Sequence, residues 1–305
     1  MRTEKVVIVL PRTEPDLDGV ACAVGYAEFL HRQNILAKPW YKDEPDAEAR
    51  HLIRICRNVE YATGLEVAEA GSFILVDASG LEGLPTEVSP ASITEVIDHR
   101  FHHNAENIFL NAKLQIESVG AAATLIVEKY IQQNIIPSND SALMLYGAIH
   151  SNTQCLKGTI TSQRDITASE WLEKSIRVPE NFLEEQFTAR RNDLIKDLNA
   201  SIQRERKEYV HDTGEYAISQ LEFHGSGKLL FEELDTIISI INKLSPRTVL
   251  NMVDLESNCS YLLVMDDDLK EVFSNKVRLS FKRNIAVSNG IILRKQIVDK
   301  IKGVN

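Results

Sequence analysis

Glu14-Pro15-Asp16-Leu17-Asp18-Gly19 follows the apolar run Val6-Val7-Ile8-Val9-Leu10 and precedes an apolar-periodic segment from Val20 to Leu30. That order predicts a buried strand, a tight turn and a helix, with two carboxylates at the turn. Asp16 and Asp18 stand two apart on a loop, so both can face one point in space. Further along, Phe73-Ile74-Leu75-Val76 ends in Asp77, and Val96-Ile97 ends in Asp98. Strand tips that each end in acid make a set suited to cations.

Around this stretch, β-like and helix-like segments alternate up to about residue 175. Strands are predicted at 5–10, 35–41, 72–76 and 93–97, and helices at 19–33, 51–62, 119–133, 138–149 and 161–175. Ser138 or Asn139 caps the helix at 138–149, and Asp165 and Glu170 fall on the polar side of the helix at 161–175. The strand runs are short, β-branched and continuous, as in strands covered by helices on both faces, so a parallel sheet is expected. Ligands of such sheets sit beyond the carboxyl ends of the strands, where Asp16, Asp18, Asp77 and Asp98 fall. The pattern weakens at 176–185, with Pro179 and Asn181, dividing the chain into domains at 1–180 and 187–305. The second domain begins with a charged helical stretch to about residue 210. It then alternates again, with strands at 216–223, 248–255, 261–265 and 276–280, a helix at 229–244 and a final helix or tail at 290–301. The expected fold class is α/β, a parallel-sheet domain followed by a smaller α/β domain.

At 305 residues, 44% hydrophobic and 26% charged, the chain has the apolar content for two cores, since one domain takes about 100–150 residues. No apolar run approaches the ~20 residues that span a bilayer, and the first residues carry no cleavage-site pattern. Neither a membrane partner nor secretion is expected. Cys22, Cys56, Cys155 and Cys259 are scattered without a Cys-x-x-Cys pair. They fit free thiols in the cytoplasm rather than a zinc knuckle or a disulfide framework. The formal net charge of −10 argues against general nucleic-acid binding, which needs a basic face. A small phosphorylated ligand is compatible with it, because bound metal and a few local Lys or Arg residues reverse the field inside one cleft.

Taken singly, an Asp after a strand is more often a helix cap or turn residue than a ligand. The combination carries the signal. Asp-x-Asp at the first tip, Asp at another and Asp-His at a third offer hard oxygens plus one imidazole. That mixture suits Mn2+, Mg2+ or Co2+ better than a thiolate-rich zinc site does.

Pro15-Asp16-Leu17-Asp18, Val76-Asp77 and Ile97-Asp98-His99 resemble motifs of the DHH phosphoesterase superfamily. The resemblance continues through Glu117-Ser118-Val119-Gly120-Ala121-Ala122-Ala123-Thr124-Leu125 and Gly147-Ala148-Ile149-His150-Ser151-Asn152-Thr153, then Lys157-Gly158-Thr159-Ile160-Thr161 and Arg164-Asp165. In the second half, Arg206-Lys207-Glu208-Tyr209, Ile218-Ser219-Gln220-Leu221-Glu222 and Arg294-Lys295-Gln296-Ile297 are similar to family II (manganese-dependent) inorganic pyrophosphatases, exopolyphosphatases and prune-type proteins. Ordered coverage of nearly the whole chain is more specific than any single motif.

The resemblance implies a DHH domain and a DHH-associated, pyrophosphatase-type domain, with the active site in the cleft between them and a homodimer through the first domain. It implies hydrolysis of pyrophosphate or short polyphosphate. In that chemistry two divalent ions share a bridging Asp and a bridging water, whose lowered pKa gives a hydroxide that attacks phosphorus in line. Carried onto this chain, Asp16 holds one metal, Asp18 the other, Asp77 bridges and His99 binds the second. Asp98 takes a catalytic part by supporting its neighbour, and Arg100 stabilises charge on the phosphoryl group. Lys207 and Arg294 contact phosphate oxygens.

Several positions depart from the family pattern. The pyrophosphatases carry a His four residues before the first Asp of Asp-x-Asp, where this chain has Arg12. They have a second His after Asp-His, where this chain, like prune-type proteins, has Arg100. A metal-binding Asp is replaced by Asn152, and the Arg of their closing Ser-Arg-Lys-Lys-Gln falls on Leu293. Asn152 offers a neutral oxygen, Arg12 cannot ligate, and Arg100 cannot act as a general acid near neutral pH. The expectation is one or two ions of Mn2+ (or Mg2+ or Co2+). The first sits at Asp18, Asp77 and His99, and Asp16 faces a weaker site beside Asn152. His102, His103 and His150 read as loop or surface histidines, with His150 the one placed to compensate for Asn152.

Two rival readings accompany the hydrolase. One is a degenerate, non-hydrolytic member that binds a phosphorylated ligand or a protein partner. The other is a phosphodiesterase for cyclic nucleotides or short oligonucleotides, whose relatives carry a different second domain. His224-Gly225-Ser226-Gly227-Lys228 lacks full phosphate-loop spacing and reads as a glycine-rich turn. Asp266-Asp267-Asp268 reads as a solvated turn, the basic run from Arg190 to Lys207 as a solvated helix, and Trp40 and Trp171 as packing residues.

Overall fold

Apolar runs without alternation are needed where both faces of a strand are buried, and the first unit shows that arrangement. In the computed structural model, residues 5–100, 103–158 and 160–303 are described. Strands β1 (Val7–Leu10), β2 (Ala37–Pro39), β3 (Ser72–Val76), β4 (Ile93–Asp98) and β5 (Lys113–Ile116) pair in the order β2-β1-β3-β4-β5, all in parallel. Residue parity divides the sheet between two cores. Val9, Ile74, Val76 and Ile97 enter one cluster, and Ile8, Leu10, Phe73, Leu75 and Val96 the other.

The helices of this unit are α1 (Leu17–Arg32), α2 (Ala47–Ile55), α3 (Gly64–Glu69), α4 (Ala105–Ile108), α5 (Ala122–Gln133), α6 (Asn139–Asn152) and α7 (Gln163–Ser175). Helices α1, α5 and α6 supply most of the first cluster. Caps fix where they start: Asp16 accepts from Gly19 N at 3.1 Å ahead of α1, and Ser138 accepts from Ser141 N at 3.3 Å ahead of α6.

Helix α8 (Phe182–Lys196) contains the division of the chain, since one compact unit ends at Gln186 and the other begins at Phe187. The second unit continues with α9 (Leu198–Arg204), β6 (Arg206–His211), β7 (Gly214–Phe223), α10 (Ser226–Glu232), α11 (Leu234–Leu244), β8 (Thr248–Asp254), β9 (Cys259–Leu263), α12 (Asp267–Val272), β10 (Phe281–Lys282), β11 (Ile285–Val287) and α13 (Arg294–Lys302). Its mixed sheet runs β10-β11-β9-β8-β7-β6, with β7 and β8 parallel and the other pairings antiparallel. Among the described residues, no helix is long and apolar enough to cross a membrane.

Several expectations are corrected. The helix expected at 51–62 is α2, which begins after its cap Asp46 (from Ala49 N, 2.8 Å) and ends before Cys56. Strand β5 lies where no strand is expected, because Lys-Leu-Gln-Ile is short and begins on an exposed lysine. The charged stretch to residue 210 is helical only to Arg204. Lys207 instead lies on β6, which pairs antiparallel with β7. The helix at 229–244 breaks at Glu233 into α10 and α11. No strand forms at 276–280: Phe273–Val277 is a wide helical turn that closes on Arg278 in the left-handed region, φ 64°. Asp165 is fully buried rather than on a polar face. Asp266 caps α12 through Leu269 N at 2.9 Å and pairs with Arg247, so the acidic run is a helix start.

Candidate metal centre

Each carboxylate at a strand tip is aimed by the backbone that follows it. Past β3 the chain turns sharply at Asp77, whose φ of 53° is left-handed, a conformation that costs an L-residue about 1 kcal/mol and is tolerated best by Asp and Asn. Its N–H donates to Ile97 O at 2.8 Å, which ties the tip of β3 to that of β4. Gly19 leaves room beside it: a Cβ there would lie 2.7 Å from Pro11 Cβ and 3.5 Å from Asp77 Oδ2. At the end of β4, buried Asp98 accepts the His99 N–H at 2.8 Å and an Arg100 N–H at 3.2 Å.

His99 is fixed from the far side of its ring. Nδ1 lies 3.1 Å from the Val119 carbonyl, which can only accept, so Nδ1 carries the proton. Nε2 then faces the carboxylates, 3.4 Å from Asp77 Oδ1 and 3.9 Å from Asp18 Oδ2. Asp18 is itself held by the start of α5. Oδ2 accepts Ala122 N at 2.7 Å and Oδ1 accepts Ala123 N at 2.9 Å, a favourable place for an anion. Asp18, Asp77 and His99 each offer a ligand atom, and these atoms lie within 4.8 Å of one another. Two buried carboxylates and an imidazole whose second nitrogen is tied to a carbonyl fit a divalent cation of the Mn2+ or Mg2+ kind.

Without a cation this cluster holds protons tightly. Burial lifts Asp18 to about 6, with His99 opposing, Asp16 adding to the rise, and the Ala123 and Ala122 amides pulling it down. Burial also lifts Asp77 well above the usual carboxylate range, helped by the charges of Asp16 and Asp18. Burial works to lower His99, but its hydrogen bond to Asp77 and the charges of Asp18 and Asp77 outweigh that and raise it to about 10. A divalent ion would offset the same crowding of negative charge.

The other sequence candidates are placed less uniformly. Asp16 caps α1 and is outside the trio of close ligand atoms. Asn152 does reach the centre, where its Nδ2 donates to Asp18 Oδ2 at 2.7 Å. Arg100 Nη1 donates to the Asp77 carbonyl at 2.9 Å, which holds its guanidinium beside the carboxylates. Arg12 has a buried Nε without a hydrogen-bond partner. His150 is no substitute for a ligand: it is buried on α6, its Nε2 is 2.9 Å from Ser169 Oγ, and burial lowers it to about 4. His103 is 3.3 Å from Glu106. His102 and Thr159 lie outside the described residues.

In the second unit, Lys207 and Arg294 line one pocket of about 390 Å3, together with Gln220, Leu293 and Lys295. Arg294 is anchored there by Nη1 to the Glu205 and Ile218 carbonyls, and its N–H donates to Gln220 Oε1. In the glycine turn at 225–227, Asp254 accepts the amides of Gly225 at 3.2 Å and Gly227 at 3.0 Å. Charge divides between the units. Residues 1–186 carry 16 Lys and Arg against 27 Asp and Glu, and residues 187–305 carry 18 against 17. Sequence reasoning missed the backbone parts of the centre, the Val119 carbonyl and the Ala122 and Ala123 amides, because backbone groups leave no residue signature.

No protein-family model matches the chain. It resembles the manganese-dependent inorganic pyrophosphatase of Bacillus subtilis (strain 168), with 22% identity over 302 residues, 96% of each chain. It also resembles the probable manganese-dependent inorganic pyrophosphatase of Bacillus pumilus, with 23% identity over 300 residues, 95% of this chain and 96% of that one. Among solved structures, a family II inorganic pyrophosphatase candidate of Methanococcus jannaschii superposes with a TM-score of 0.61 at 21% identity, covering 98% of this chain and 99% of that one. An exopolyphosphatase-related protein of Bacteroides fragilis reaches a TM-score of 0.52 at 13% identity, covering 99% and 92%. The resemblance runs along nearly the whole chain, and at these identities the structural likeness speaks to the fold.

Proposed function

We propose, for a chain that resembles manganese-dependent inorganic pyrophosphatases from end to end, a divalent-metal-dependent phosphohydrolase acting on pyrophosphate or a short polyphosphate. The observation that carries the proposal is the convergence of Asp18, Asp77 and His99 beyond the carboxyl ends of parallel strands, where such sheets place ligands. Asp18, Asp77 and His99 would hold Mn2+, Mg2+ or Co2+, with Asp16 and Asn152 beside them. A bound divalent ion supplies Lewis acidity towards phosphoryl oxygens and acidifies water near neutral pH.

The residues of the chain do the rest. The Val119 carbonyl keeps a proton on His99 Nδ1, so Nε2 is the nitrogen that would ligate once its own proton has left. Asp98 fixes both the His99 backbone and the Arg100 side chain, and Arg100 offsets negative charge on the phosphoryl group. Lys207 and Arg294 bind phosphate oxygens. The protein acts in the cytoplasm, as a homodimer through its first unit.

Phosphate release from pyrophosphate and tripolyphosphate, assayed with Mn2+, Mg2+ and Co2+, tests this. Turnover that disappears in Asp77→Ala supports the reading, and no release with any of the three ions overturns it. One observation favours the rival, a phosphate-binding protein without turnover: the Asn152 amide occupies Asp18 Oδ2 at the distance of a firm hydrogen bond. Calorimetric binding of pyrophosphate without metal, and no release, would select that reading.

A further inference from the structure

Helix α5 lacks a cap of its own. Its N-cap position is Ala121, which makes no side-chain hydrogen bond to the first turn. Distant carboxylates do the work instead. Asp18 holds the amides of Ala122 and Ala123, and the second carboxylate is Asp165, at the start of α7. Asp165 Oδ1 accepts Thr124 Oγ1 at 2.6 Å and Gly120 N at 3.1 Å. Its Oδ2 accepts Gly120 N at 2.9 Å, Ser162 N at 2.7 Å and Ser162 Oγ at 2.6 Å. None of Asp165 is exposed. The approach is too close for any side chain at 120, where a Cβ would meet Thr153 Cγ2 at 2.5 Å and Asp165 Oδ2 at 2.9 Å.

The segment clamped in this way carries the backbone groups of the metal centre. Val119, whose carbonyl receives the His99 Nδ1–H, directly precedes Gly120, and the amides that grip Asp18 follow within three residues. We propose that Asp165 is a positioning residue for the metal centre: through Gly120 and Thr124 it sets the Val119 carbonyl that orients His99 and the amides that orient Asp18. A shift of this segment would let the imidazole rotate and would turn the Asp18 oxygens away from His99 Nε2. Outer partners of metal ligands typically change affinity about 10–100-fold when lost. The inference deepens the proposed metal-dependent reading and rests on it for its functional consequence.

Asp165→Asn keeps the shape but turns one acceptor oxygen into a donor that must face an amide or hydroxyl donor. The expected result has two parts. In the metal-free, 15N-labelled protein, exchange of the His99 Nδ1–H with solvent speeds up. Calorimetric titration then gives a Mn2+ Kd raised about 10–100-fold. Tyr130→Phe removes a buried 2.7 Å hydrogen bond to Gly25 O from the last turns of α5, away from Gly120 and Thr124, and should leave both readouts unchanged while lowering stability. Thr124→Val removes one hydrogen bond to Asp165 and should move both readouts the same way by less, which keeps the question open to decision if Asp165→Asn does not fold. Wild-type His99 exchange and wild-type Mn2+ affinity in the folded variant would overturn the proposal. If the wild type itself binds no Mn2+, the metal-dependent reading falls, while His99 exchange still decides whether Asp165 positions the ring.

Discussion

Titrating the metal-free protein with Mn2+ at several pH values probes the centre most directly, because the cation must displace a proton before His99 can ligate. The His99 pKa stands at about 10. At pH 7, freeing its Nε2 therefore costs about 4 kcal/mol, at ~1.4 kcal/mol for each pH unit. An unperturbed histidine, with a pKa of about 6.5, would cost almost nothing. Affinity should thus rise about tenfold per pH unit, or about 100-fold between pH 6.5 and 8.5, rather than levelling off above pH 7. Binding should release about one proton per ion, from His99. Isothermal titration calorimetry in buffers of different ionisation enthalpy, under anaerobic conditions, reads both quantities. His99→Gln should abolish the pH slope along with most of the affinity. A Kd independent of pH, with no proton release, would refute the reasoning, because the imidazole would then be neither protonated in the free protein nor a ligand in the bound one.

Stability of the metal-free fold should move with pH in the opposite sense. Asp18 has its folded pKa raised from 3.8 to about 6, so its contribution is fully present below about pH 4 and is lost as pH rises through 6. The loss is about 3 kcal/mol. Denaturant unfolding in chelator should show that dependence flattened in Asp18→Asn. His99 is raised in the same sense, and what it contributes below about pH 6.5 fades only as pH approaches about 10. Asn152→Asp puts a second carboxylate where an amide now donates to Asp18 at 2.7 Å. Thermal unfolding of that variant should fall by about 1–3 kcal/mol equivalent without metal and recover with Mn2+; equal stability of variant and wild type in chelator would count against the contact. Lys207→Ala and Arg294→Ala should each weaken pyrophosphate use about 10–100-fold, the loss of one charge-assisted contact. Steady-state phosphate release reads this, and kinetics unchanged from wild type would remove the second unit's pocket from substrate binding.

The chain itself determined a good deal of this protein. Val7–Leu10 and residues 73–76 are continuous apolar runs because helices cover both faces of their sheet, and that composition is local, so it can be read without coordinates. The acids at strand tips are legible for the same reason: Asp77 and Asp98 close runs whose direction is already fixed. Short or edge elements were not legible. Nothing local marks Lys113–Ile116 or Arg206–His211 as strands until a neighbour supplies their hydrogen bonds.

Only tertiary structure decided which acids act together. Asp18 and Asp77 converge on His99, while Asp16, two residues from Asp18, turns back to cap its own helix. His150, two residues from Asn152 on α6, points into the core, where burial lowers it to about 4. Asp165 looked like a polar-face residue but is sealed against Gly120 and Thr124, 45 and 41 residues away along the chain. The physical reason is common to all of them. A carboxylate lowers its energy by finding donors or cations, and at the ends of helices and strands those partners come from segments far apart in sequence, so periodicity cannot reveal the match.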